Sequence, residues 1–388
     1  MPKLPGLIDP GPHNPLLLEL FISLLKTDSR TVVPDNKILN ILASFFSGLG
    51  IDHYITGPPV GRKSVVAFIK GESPGNDGLI LFSHADTHGW DESKWTQPPL
   101  SGNIIEKKIY GRGALDCKSL VAVEALIFAL IAKSGIKPKK DICLIVTTDE
   151  EKPAHNGAWW ALNNNLEMKD FSFALGEGGG YHLESTKGPV ITCQVGEKGL
   201  YISNFPPNEK NEGVVRETGI KGWSRFHLQK MRHLRSERAF KNMPSRPDYI
   251  NSLFSTFREV KGKCHIHYKY KHDPLKLIKM LTKNEILPEN SVGDIIIKPS
   301  FSSTKSTLYQ IIKSAAAKHG WTDILPVVTR GYSDARHFRH AGINTYGFFP
   351  IGKREKITLI HGPDEYIHID TLHEAFNILN KITREYIF

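Results

Sequence analysis

The chain has 388 residues, 40% of them hydrophobic and 23% charged, with a net charge of +10. That length exceeds one ordinary core and predicts two domains, and the balance excludes a disordered or low-complexity polymer. Four cysteines, Cys117, Cys143, Cys193 and Cys264, lie far apart with no CxxC pair. They argue against a disulfide framework or a zinc knuckle and suit reduced thiols in a cytoplasmic protein.

Taken in chain order, residues 1–12 show no cationic-then-apolar leader pattern. The apolar run Leu16 to Leu25 is too short to span a bilayer and predicts an amphipathic first helix. A second helix is predicted over Asn36 to Leu49, closed by Gly50. Strands are predicted over Ser64–Ile69 and over Gly78–Ser83, the latter ending at His84. A short hairpin segment, Ile104 to Tyr110, leads into Gly111-Arg112-Gly113. An apolar helix follows over Leu120–Ser134, then a buried strand over Asp141–Thr147 that ends at Asp149-Glu150-Glu151. A helix near Gly157–Asn164 and a strand over Phe171–Leu175 complete this half, just before Glu177 and three glycines.

Beyond Gly199 the pattern changes. Residues 201–283 hold 18 Lys+Arg against 7 Asp+Glu, so most of the net charge sits here. Helices are predicted over Arg225–Phe240, Tyr249–Val260 and Pro274–Leu281, with a strand over Cys264–Tyr270. No nucleic-acid-binding motif accompanies the charge, which fits a solvated face or attraction of acidic substrates. The earlier alternation returns with a helix over Leu308–His319, the loop Arg330–Asp334, a strand over Thr345–Pro350 and a last helix over Thr371–Ile387. The expected fold class is α/β, a mostly parallel twisted sheet flanked by helices, with an inserted smaller α+β unit. The expected division is 1–198 and 298–388 as two parts of one domain, with 199–297 inserted.

The chemistry-bearing residues cluster at predicted strand ends, where ligands gather in such sheets. His84 and Asp86 stand two apart on an extended segment and point the same way. Asp116 follows two glycines and precedes a helix, so it is either a metal ligand or an N-cap. Asp149-Glu150-Glu151 places three carboxylates in a row after a buried strand, an arrangement that a dication would relieve. Glu177 precedes glycines that either admit a ligand or form a flexible turn. His361 lies between apolar residues and a turn. Together these groups match the needs of two divalent cations and one activated water, which makes hydrolysis the leading reading.

Five stretches then resemble one family in order and spacing: Ser-His84-Ala-Asp86, Tyr-Gly-Arg-Gly-Ala-Leu-Asp116-x-Lys, Asp-Glu150-Glu151, Gly-Glu177-Gly-Gly and Ile-His361-Gly-x-x-Glu. It is the dizinc aminoacylase/carboxypeptidase family of metallopeptidases. The blocks Trp95–Gly102 and Ser333–Phe338 resemble it too. The resemblance implies a zinc-exopeptidase type of fold whose inserted unit is a lid carrying a homodimer contact. It implies one zinc on His84, Asp116 and Glu177 and another on Asp116, Glu151 and His361. It gives Glu150 the role of general base and proton donor, and Asp86 that of orienting His84. It also implies a cis peptide at Asp116-Cys117. Carboxylate-rich donor sets accept cobalt or manganese as well as zinc. The implied substrate is a small N-acyl amino acid or a dipeptide. Arg336 and Arg330 are candidates to bind its carboxylate bidentately, or else form structural ion pairs.

The pattern breaks in the inserted unit. The family lid presents His-Ser-Ser-x-Pro, whose histidine steadies the oxyanion in a neighbouring active site. Here the matching stretch is Met243-Pro-Ser-Arg-Pro247, with Met243 at the histidine position. His227 and His233 are candidate replacements. Losing one oxyanion donor typically costs ~10²–10³ in turnover. The competing reading is therefore a catalytically impaired metal-binding homologue whose basic lid binds an anionic partner.

Overall fold

The computed structural model describes residues 14–30, 36–73, 77–151, 156–164, 168, 171–185, 188–203, 257–260, 263–268, 296–329 and 332–388. Helices α1 (Pro15–Leu25) and α2 (Lys37–Gly48) come first. Asn14 caps α1 through its side chain, with Pro15 at the first helical position, where its missing N–H costs nothing. Strands β1 (Tyr54–Thr56), β2 (Ser64–Ile69) and β3 (Gly78–His84) follow, then β4 (Ile104–Ile105) and β5 (Lys108–Tyr110). Next are α3 (Lys118–Lys133), β6 (Ile142–Thr147), α4 (Ala158–Asn164) and β7 (Phe171–Gly176). Then come β8 (His182–Ser185), β9 (Gly188–Glu197) and β10 (Gly199–Ser203). Strands β11 (Phe257–Val260), β12 (Lys263–Tyr268) and β13 (Ile296–Ile297) are next. The chain ends with β14 (Ser300–Phe301), α5 (Thr307–Lys318), β15 (Asp323–Thr329), α6 (Ala335–His340), β16 (Asn344–Gly347), β17 (Tyr366–His368) and α7 (Ile369–Ile387).

The main sheet has ten strands among the described residues, ordered β1-β2-β6-β3-β7-β16-β9-β14, with β8 and β15 also on β9. Its centre is parallel: β3 pairs β6 and β7, and β7 pairs β16. The flanking pairs β1–β2, β2–β6 and β16–β9 are antiparallel. Both faces of the centre are covered. In β3, Leu79 and Leu81 join the large apolar layer with α1, α2, α3 and α7, while Ile80 and Phe82 join a smaller layer with α4 and α6. Burial on both faces explains why these strands read as unbroken apolar runs. Helix α3 is buried from Lys118 to Ile131, which accounts for its apolar character all round.

Two smaller sheets complete the fold. Strands β10 to β13 form an antiparallel sheet ordered β11-β12-β10-β13, drawn from residues 199–297. Strands β4, β5 and β17 form the other, in which Tyr110 lies opposite Tyr366. That register brings the loop after Tyr110 beside the turn at His361–Glu365, which positions the site.

Some expectations need correction. Phe257–Val260, the end of the predicted helix Tyr249–Val260, is strand β11, because it finds a pairing partner in β12. The rest of that segment and the helices at Arg225–Phe240 and Pro274–Leu281 lie outside the described residues, as do His227, His233, Met243 and Arg330. The strand expected to reach Pro350 stops at Gly347. Strands β9 and β15 were not legible: Gly188-Pro189 and Gln194 interrupt one, Pro326 the other.

Candidate metal centre

Parallel strands aim the donors at one place. His84 ends β3, Glu150 and Glu151 follow β6, and Glu177 follows β7. Asp116 precedes α3, whose N-cap is Cys117 with no side-chain capping bond, so Asp116 is not the cap. Its carboxylate faces two imidazoles instead. Oδ1 lies 3.0 Å from His84 Nε2, and Oδ2 lies 2.9 Å from His361 Nε2. Glu177 Oε2 is 3.5 Å from His84 Nε2, and Glu151 Oε2 is 3.3 Å from His361 Nε2. Glu150 Oε2 stands 3.8 Å from His84 Nε2. The structure thus brings His84, Asp116, Glu150, Glu151, Glu177 and His361 together from five separate segments.

Asp86 connects three of these. Its backbone carbonyl lies 3.0 Å from His84 Nδ1 and its Oδ1 lies 3.5 Å away. A proton on Nδ1 leaves Nε2 as the free donor toward the cluster. The Asp86 carboxylate also accepts the backbone N–H groups of Glu150 at 3.3 Å and Glu151 at 3.1 Å. Asp149 turns away and accepts the Asn156 N–H at 2.7 Å.

Glu365, named in sequence only as the last letter of a motif, organises the loop that carries Asp116. Its buried carboxylate accepts from Arg112 Nη1 at 2.7 Å, and from the N–H groups of Leu115 at 2.7 Å, Gly113 at 3.1 Å and Asp116 at 3.2 Å. Arg112 Nη2 also donates to the His361 carbonyl at 3.1 Å. His361 sits at φ +60°, a left-handed backbone that non-glycine residues avoid, and this bond helps hold it there. The Asp116–Cys117 peptide is cis. The glycines after Glu177 are not a flexible turn. A Cβ on Gly179 or Gly180 would collide with the backbone carbonyls of Gly347 or Phe349, so they permit close packing against the sheet.

Electrostatics mark the cluster as short of positive charge. Among the described residues no lysine or arginine pairs with Asp116, Glu150, Glu151 or Glu177. Burial, with the neighbouring acids Asp116, Glu151 and Asp334, pushes the Glu177 carboxyl up to about 8 against the pull of His84. Burial and Glu177 raise Glu150 well above the usual carboxylate range. Burial opposes the charged form of His361, but hydrogen bonds to Asp116 and Glu151 lift it to about 10. Those two imidazoles in turn hold Asp116 below its ordinary value despite burial. The donors fit cations. A tetrahedral ion with bonds of about 2.0–2.2 Å needs its ligand atoms roughly 3.3 Å apart, and the imidazole–carboxylate separations are 2.9–3.5 Å.

Fold and cluster define an α/β protein with a candidate metal centre, in which His84, Glu151 and Glu177 stand at the carboxyl ends of parallel strands. A profile of peptidase family M20/M25/M40 matches residues 80–385. The chain belongs to this family. Acetylornithine deacetylase of Yersinia pestis is 30% identical over 174 residues, 42% of this chain and 43% of that relative. The chain therefore matches less than half the length of this curated relative. An M20 family metallo-carboxypeptidase from Sulfolobus solfataricus is 18% identical with a TM-score of 0.66, covering 95% of this chain and 99% of that one. A di-peptidase from Saccharomyces cerevisiae is 13% identical with a TM-score of 0.63, covering 96% of each chain. At such identity the likeness to these structures is one of fold.

Arg336 lines a recess together with Asp149, Glu150, Trp159, Asp334 and His337. No helix among the described residues is long and apolar enough to cross a membrane. Sequence reasoning gave no role to Glu365, Arg112 or His88. The signals were a glycine-flanked arginine, an acid four residues after His361, and a second histidine four residues after His84.

Proposed function

We propose that the protein is a dinuclear metal hydrolase that cleaves the amide or peptide bond of a small N-acyl amino acid or dipeptide. One observation carries the reading: the two oxygens of Asp116 face His84 and His361 separately, as a bridging carboxylate does. His84, Asp116 and Glu177 would hold one ion, and Asp116, Glu151 and His361 the other. Zinc suits this mixed imidazole–carboxylate set, and cobalt or manganese would also be accepted. When bound, such a pair lowers the pKa of a shared water and polarises the scissile carbonyl.

The chain's own groups do the rest. Glu150 sits beside the donors without bonding to one of them closely, so its carboxylate is free to take a proton from the attacking water. It then passes that proton to the leaving amine nitrogen. Its buried surroundings favour the protonated form, which suits the second half of that task. Asp86 fixes both the His84 ring and the Glu150–Glu151 backbone. Arg336 is the candidate partner for a substrate carboxylate. We assign residues 1–198 and 298–388 to the catalytic domain and 199–297 to a lid with a homodimer contact, in a cytoplasmic enzyme.

The test is Glu150→Ala, assayed on a panel of acyl-amino acids and dipeptides with metal analysis alongside. Hydrolysis should fall by about 10²- to 10⁴-fold while metal content stays at the wild-type level. Unchanged turnover would reject the assignment. A wild-type protein that binds metal, cleaves nothing on the panel and retains polyanions through residues 199–297 would favour the impaired homologue instead.

A further inference from the structure

We propose that His88 is a fourth protein donor at the second metal position, beside Asp116, Glu151 and His361. The inference rests on the two-metal reading above and adds a ligand to it. His88 Nε2 lies 3.4 Å from Glu151 Oε2, the same oxygen that lies 3.3 Å from His361 Nε2. The ligand atoms of His88, Glu151 and His361 all lie within 4.8 Å of one another. The two imidazole rings are in tilted contact, with centroids 4.1 Å apart and planes at 49°.

The backbone fixes this placement. The His88 N–H donates to Glu151 Oε1 at 3.1 Å, so one carboxylate oxygen is held by the backbone and the other faces the two rings. The preceding residue, Thr87, donates its N–H to the Ser29 carbonyl at 3.2 Å. Two residues on, the Trp90 ring lies under the Arg30 guanidinium at 4.3 Å. His88 is therefore pinned from both sides, while its side chain stays half exposed at the mouth of the site. A histidine kept only for packing would be buried, and a free surface histidine would not share a carboxylate oxygen with a second imidazole.

The consequence is an unequal pair of positions. His84, Asp116 and Glu177 offer three donors and leave a place for water or substrate. His88, His361, Asp116 and Glu151 offer four, one more than the first position, so that with the shared water this ion would be five-coordinate. The second position should hold its ion more tightly and exchange it more slowly.

The test uses full-length protein and zinc alone. Wild type, His88→Ala and His88→Asn are stripped with a chelator and titrated with zinc against a chromophoric competitor. Cobalt-loaded samples are compared by visible absorption, and thermal melts check folding. The wild type should bind two ions with unequal affinities. Both variants should lose at least about tenfold in the tighter affinity, the lower end of the cost of disturbing even an outer partner of a ligand. The cobalt spectrum should change with it. Two ions bound at wild-type affinities in both variants would overturn the proposal and leave the two-metal reading standing. Unchanged metal binding with a raised KM would overturn it too, making His88 a substrate contact. A wild type that binds no zinc would remove the reading beneath it.

Discussion

Glu365 and Arg112 form a buried ion pair of 2.7 Å that ties the loop of Asp116 to the turn of His361. Both side chains are almost wholly excluded from solvent, and the three N–H groups that Glu365 also accepts belong to Gly113, Leu115 and Asp116. Two stretches about 250 positions apart in sequence are thereby held in one geometry. Replacing Glu365 with Gln leaves the Arg112 charge buried without its counter-charge. The expected cost is about 3–5 kcal/mol in urea denaturation. The double variant Arg112→Met/Glu365→Leu should cost less than the sum of the single changes. A purely additive result would show that the pair is not coupled.

Asp86 holds the Glu150–Glu151 backbone and the His84 ring at once. Asp86→Ala removes the carboxylate from three metal-site neighbours while leaving every proposed ligand residue in place. Metal affinity or turnover should fall by about 10- to 100-fold. Wild-type values for both, measured by metal titration and steady-state kinetics, would contradict the role.

Arg336 provides a test of substrate class. Its guanidinium packs over the Tyr332 ring at 5.1 Å and borders the recess beside Glu150. Arg336→Met should raise KM by about 10- to 100-fold for substrates with a free carboxylate, the range expected for a lost charge-assisted hydrogen bond. The corresponding amides should be affected little. Equal losses on both would make Arg336 structural.

The metal-free protein should lose stability as pH rises from 5 to 7. Burial and neighbouring acids raise Glu177 from 4.5 to about 8, and burial with Asp149 raises Asp334 from 3.8 to about 7. Each folded pKa exceeds the unfolded one, so the native state binds more protons across this window. That contribution is complete below the unfolded values and is lost as pH passes the folded ones. Burial lowers Lys118 to about 7, and its opposing effect sets in only toward the top of this window. Bound cations would replace those protons, so the gap in Tm between zinc-loaded and chelator-treated protein should widen from pH 5 to 7. Calorimetry that shows a constant or narrowing gap would exclude this linkage.

Much of the site was legible because its donors terminate strands. The apolar runs before His84, Glu150 and Glu177 each predict a buried strand with a polar end, and local pattern suffices for that. The role of Glu365 was not legible, because its partners lie in a loop some 250 residues away. Asp116 reads in sequence as either cap or ligand; in the fold it does not cap α3, and its oxygens face two histidines. Strand β9 was hidden because Gly188-Pro189 and Gln194 interrupt its apolar pattern, while pairing with β8, β14, β15 and β16 compensates.

The sequence by itself determined the alternation of buried strands and helices, the residue types at strand ends and the basic character of residues 201–283. These are local properties, written in periodicity and composition. Only the tertiary structure decided which oxygen faces which imidazole, that Asp86 grips the Glu150–Glu151 backbone, and that His88 packs against His361. Such relations depend on sheet order and loop register, which bring distant segments within a few ångströms and leave no trace in any single stretch of chain.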